Sequence, residues 1–131
     1  MSDIVSRGVR LRASRVHFSS GATIDAAISI TSAEMLDGLR SHVRPTPMLF
    51  VFPNPAPLAM TMRGVKFPLD MIFLDESGDV VDVVYEAAPG RPIVASRAPA
   101  RYCLELPAGW AAGMNIRIGD RAMFTPLVRS Q

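Results

Sequence analysis

A chain of 131 residues with 49% hydrophobic and 20% charged side chains has an ordinary globular balance: it is long enough for one domain that buries about two-thirds of its unfolded surface, and disorder throughout is excluded. The formal charge of +2 is too small to point to nucleic acid, and the single cysteine, Cys103, rules out an internal disulfide and dependence on an oxidising compartment. Residues 1–15 contain no apolar core of an export signal, and no segment reaches about eighteen uninterrupted apolar residues, so the expected setting is the cytoplasm or a virion, away from membranes.

The charge is unevenly placed. Arg7, Arg10, Arg12 and Arg15 are opposed in residues 1–20 only by Asp3, which makes a basic N-terminal edge. Lys66 is the only lysine. Arginine forks suit carboxylates or phosphates at interfaces, although biased genomic composition produces the same excess.

In chain order, residues 9–18 alternate apolar and polar with a break near Ser14 and Arg15, which predicts a strand with a bulge. Ile24, Ala26, Ile28 and Ile30 alternate more cleanly and predict a half-buried strand. Thr31 to Glu34 has capping-box spacing, so a short helix through Met35, Leu36 and Leu39 is expected. Met48 to Phe52 reads as a strand buried on both faces, and the stiff Pro53 to Pro57 connection as a segment unable to join a ladder. Leu58 to Met62 predicts another strand. Met71–Leu74 and Val80–Tyr85 form a hairpin across Asp75-Glu-Ser-Gly-Asp79, with Gly78 supplying the positive φ. Residues 93–96 read as a short edge strand, and Arg101 to Leu106 as a strand with one buried and one polar face. A loop with a helical turn follows, then a last strand through Phe124 and a tail over residues 126–131.

Several of these pieces occur together in a known family. Gly38-Leu39, Met48-Leu-Phe-Val-Phe52, Pro68-Leu-Asp-Met-Ile-Phe-Leu-Asp75, Pro99-Ala-Arg-Tyr-Cys-Leu-Glu-Leu106, Gly109 and Ile116-Arg-Ile-Gly-Asp120 resemble the uncharacterised proteins catalogued as domain of unknown function 192, over residues 24–124. The resemblance implies a compact β-sandwich related to jelly rolls, with no established reaction. The chain departs from relatives at Thr61-Met-Arg-Gly-Val65, where they commonly carry Trp-Met-Lys-Asn-Thr. Thr61 takes the Trp place, Gly64 the Asn place and Val65 the Thr place, leaving only Met62 and a cation, Arg63. A polar pocket shared with relatives is therefore expected to be lost.

The expected fold is mainly β, a single β-sandwich or jelly-roll-like barrel over residues 1–131 with one or two short helices. No metal motif, catalytic constellation or phosphate cradle is legible, and no cofactor is expected. Buried structural cysteine is the natural reading of Cys103. Asp70 leads directly into a buried run and needs partners, for which Arg63 or Arg101 would serve. The leading expectation is a non-enzymatic structural or interaction module, a homo-oligomer in a larger protein assembly such as a phage capsid decoration protein, with Arg7, Arg10, Arg12, Arg15 and Trp110 at its interface. The alternative is a cytoplasmic protein holding a carbohydrate or other polar small ligand near Met62, Arg63, Asp70 and Arg101. A hydrolase or isomerase using Asp70 or Glu105 with an arginine comes third.

Overall fold

Ile24, Ala26 and Ile28 turn inward while Thr23, Asp25 and Ala27 turn out, and in the computed structural model, which describes residues 13–30 and 44–127, this stretch is strand β2 (Thr23–Ser29). It pairs antiparallel with β1 (Ala13–Phe18) through the Ser19–Ala22 turn, and Arg15 meets Asp25 across the pair. Met48–Met60 forms β3, Leu69–Leu74 β4, Val80–Ala87 β5, Val94–Pro107 β6 and Ala122–Leu127 β7, with a four-residue helix α1 (Trp110–Gly113) before the last strand. The seven strands make one sheet in the order β5-β4-β6-β3-β2-β1-β7. Its ladders are antiparallel except for β2 beside β3, where Ala27 faces Met48 and Ser29 faces Phe50.

The sheet curls until its two ends touch. The Val80 N–H donates to the Asp120 carbonyl at 2.8 Å, Gly119 N–H to the Val80 carbonyl at 2.9 Å, and Ala122 N–H to the Gly78 carbonyl at 2.8 Å. Gly78 makes this closure possible, because it sits at φ 90 and a Cβ there would run into the Ala122 carbonyl oxygen. Gly78→Ala is therefore expected to cost roughly 2–3 kcal/mol in urea unfolding, combining φ strain with displacement of β7. Gly90→Ala, at φ 78 but facing open space, should cost only about 1 kcal/mol from φ strain.

Two apolar clusters lie on opposite faces of this sheet. The enclosed one gathers Val16, Phe18, Ile24, Ile28, Leu49 and Ile72 with residues of every other element. The second covers the outer face of β3, β6 and β4, where Met48, Phe50, Leu58, Met62, Val65, Leu69, Met71, Phe73 and Cys103 are buried. The mainly β fold with a short helix matches the sequence reading, as do the Asp75–Asp79 hairpin turn and its Gly78. Among the described residues no helix is long and apolar enough to cross a membrane.

Several local expectations are corrected. The break at Ser14 is not a bulge, since β1 pairs in unbroken register with β2 and β7 from Ala13 onward. A buried serine simply occupies an inward position, and its hydroxyl donates to the Thr125 carbonyl at 3.3 Å. Pro53 to Pro57 lie inside β3, and Ala56 and Pro57 pair with Ala100 and Pro99 across register shifts. The prolines are tolerated because β2 accompanies β3 only from Met48 to Phe50, so among the described residues no strand pairs with that edge of the later part of β3, where a missing N–H costs little. Residues 93–96 are no separate edge strand; Val94–Ser96 begin the fourteen-residue central strand β6. Residues 101–106 have no polar face either, because β3 and β4 flank β6 and the outer cluster seals its second side. Pro126 and Leu127 belong to β7 and not to a tail. The helix expected after Thr31, the side chains Arg7, Arg10 and Arg12, and residues 128–131 lie outside the described residues.

Candidate functional site

The four side chains expected to grip a polar ligand are not brought together. Asp70 points to the enclosed side of the sheet, opposite Leu106 on β6, whereas Met62 is buried in the outer cluster. Arg63 is an exposed residue of the turn after β3. Arg101 donates from Nε to the Phe52 carbonyl at 3.1 Å, reaches Glu76 at 3.3 Å and lies over the Tyr102 ring.

Asp70 is satisfied by the backbone and pairs with neither arginine. The Glu86 N–H donates to Oδ1 at 2.8 Å, and the Gly109 and Ala111 N–H groups donate to Oδ2 at 3.0 and 2.9 Å. Two of these donors belong to residues at positive φ, Glu86 at 52 and Gly109 at 93. The carboxyl thus fastens the end of β5 and the start of α1 to β4, which is a structural task.

Other charges are paired as well. Asp82 is buried on the outer face and accepts from the Arg97 guanidinium at 2.7 Å, the Arg97 N–H at 2.9 Å and the Val83 N–H at 2.9 Å. Burial pushes the Asp82 carboxyl up, but the bonds from Arg97 outweigh it and hold the group below the usual carboxylate range. Arg15 pairs with Asp25 at 2.7 Å and Arg121 with Asp79 at 2.8 Å. The basic edge therefore loses Arg15 to an internal carboxylate. Trp110 opens α1 and is 40% exposed, while the neighbouring Ala111 fills the enclosed core.

One carboxyl stands apart. Glu105 on β6 is 4% exposed and faces outward, directly between Met48 on β3 and Met71 on β4. Cys103, two residues earlier on the same face, lies between Phe50 and Phe73. Among the described residues no hydrogen bond or opposite charge compensates Glu105; desolvation alone acts on it and pushes its pKa from 4.5 to about 8. Burial pushes the Cys103 thiol well up too, with the nearby Glu105 adding to the effect, so Cys103 is no thiolate nucleophile at neutral pH. On the same sheet face Ser29, beside Phe50 on β2, is buried and its hydroxyl has no hydrogen-bond partner among the described residues.

A buried carboxyl costs several kcal/mol unless it is paired or protonated. Burial thus favours the protonated form of Glu105 at neutral pH, in a lining of thioether, thiol and phenyl groups. This chemistry suits a ligand that supplies the missing positive charge or hydrogen bond. Sequence reasoning placed Glu105 on the polar face of its strand, and only the outer cluster reveals its burial.

The model of the family described as domain of unknown function 192, uncharacterized ACR, matches residues 15–124. No curated protein matches the chain. A crystal structure of a protein of unknown function from Novosphingobium aromaticivorans DSM 12444 is similar at 26% identity and a TM-score of 0.78, covering 91% of this chain and 89% of that one. A second, from Sinorhizobium meliloti 1021 and described provisionally as a transcription regulator, is similar at 28% identity and a TM-score of 0.77, covering 91% and 97%.

Proposed function

The chain belongs to the uncharacterised family of domain of unknown function 192, and within that family we propose that it serves as a non-enzymatic binding module holding a small cationic ligand at Glu105, on the outer face of β3, β6 and β4. The single observation that carries this reading is a carboxyl 4% exposed with no compensating partner among the described residues. A group that costs stability and serves no internal contact is where function is sought. A carbohydrate would need several convergent polar side chains, and Met62, Arg63, Asp70 and Arg101 do not converge. The provisional regulator description of the Sinorhizobium protein is compatible with ligand sensing at this face.

Thermal unfolding with a panel of organic ammonium compounds and metal ions tests the proposal. At least one cation is expected to raise the midpoint of the wild type by several degrees through preferential binding to the folded state, and to leave Glu105→Gln unmoved. A panel that shifts neither protein, or shifts both alike, would contradict it.

A second reading is the expected interaction module, with a virion setting as its most specific form. It is supported by exposed apolar side chains near α1, where Tyr85 reaches the Ile116 carbonyl and Trp110 and Ile118 stand out. Light scattering that finds a monomer at every concentration would remove the homo-oligomer from that reading.

A further inference from the structure

Building on the cation-site reading, we propose that the ion taken at Glu105 is a soft monovalent metal, copper(I), held by the thioether sulfurs of Met48 and Met71 with the Glu105 carboxylate as the third ligand.

The strand register carries the argument. Met48 and Met71 lie directly opposite Glu105 from its two sides, one on each neighbouring strand. Directly opposed side chains have Cβ atoms about 5 Å apart, and long side chains also reach the diagonal neighbour. Cys103 is that diagonal neighbour for both methionines. Methionine has three rotatable bonds and can bring its sulfur onto a central ion without moving the backbone.

The kind of ion follows from the donors. Sulfur is concentrated on this face, where Met48, Met62, Met71 and Cys103 are four of the twelve buried members of the outer cluster. Among the described residues no three His, Cys, Asp or Glu side chains gather into a metal site, so a hard cation would find one carboxylate where it needs an oxygen shell. Thioethers instead select copper(I), which accepts a low coordination number. Space points the same way, since Glu105 is 4% exposed and Met71, Phe73 and Cys103 are fully buried. A bare ion fits among these side chains more readily than an ammonium compound with an organic body. A carboxyl 4% exposed on this face separates the cluster from an ordinary methionine-filled core, which has no reason to keep an acid in its middle.

Binding involves no change of oxidation state. Two Cu–S bonds and one Cu–O bond form, any proton on the carboxyl leaves to solvent, and the carboxylate offsets the charge of the ion. Cys103 stays outside this three-ligand set.

The test is titration of the full chain with silver(I), and with copper(I) under anaerobic competition with bathocuproine. The wild type is expected to bind one ion per chain. The double variant Met48→Leu/Met71→Leu, a volume-conserving exchange that leaves the core packed, should fold and lose affinity at least about tenfold, as disruption of a metal's surroundings does elsewhere. Absence of binding, or equal affinity in the double variant, would overturn the soft-metal assignment. If organic ammonium compounds then still protect the wild type and not Glu105→Gln, the cation site stands and only its metal is lost.

Discussion

Glu105→Gln is expected to stabilise the free protein by roughly 3–4 kcal/mol at pH 7.5. In the unfolded chain the carboxyl ionises near 4.5, and in the folded one it keeps its proton up to about 8. Between these values the folded state binds the extra proton, so the contribution of this group to stability is greatest below pH 4.5 and falls as pH rises toward 8, by about 1.4 kcal/mol per unit. Glutamine has nearly the same shape and no charge to lose. The two proteins should therefore be about equally stable near pH 4 and diverge as pH rises. Urea unfolding across this range checks the prediction, and a difference that does not change with pH would mean that Glu105 ionises normally.

Asp70→Asn should act in the opposite direction, costing roughly 3–5 kcal/mol. Both carboxyl oxygens accept backbone N–H groups, Oδ1 from Glu86 and Oδ2 from Gly109 and Ala111. An asparagine must turn its NH2 toward one of these donor sets, leaving buried donors facing a donor. The left-handed conformations of Glu86 and Gly109 then lose their anchor, so urea unfolding should show the end of β5 and α1 loosening together. A loss below about 1 kcal/mol, the scale of one ordinary hydrogen bond, would contradict the fastening role.

These two carboxyls show how far the sequence could be read. The β class and the hairpin at Asp75–Asp79 follow from local rules, alternation and turn chemistry, and the structure realises both. Asp70 was legible as a charge needing partners, but its partners are amides contributed by residues 86, 109 and 111, which no local pattern announces. Glu105 was read as part of a polar face because it alternates with Leu104 and Leu106. Alternation cannot tell a solvated face from one sealed by a second cluster, and that cluster depends on Met62 and Val65 packing over the sheet from the turn after β3. Pro53 to Pro57 were misread for a related reason. Whether a missing N–H matters depends on where β2 stops, which is a property of the assembled sheet.

The most direct measurement is carbon-13 NMR of the Glu105 side-chain carboxyl at pH 7 as silver(I) and organic ammonium compounds are added in turn. The carboxyl is predicted to show the protonated shift in the free protein and to move to the ionised position when its cation binds. A carboxyl already ionised in the free protein, or one that no cation moves, would contradict the assignment of this face as a cation site.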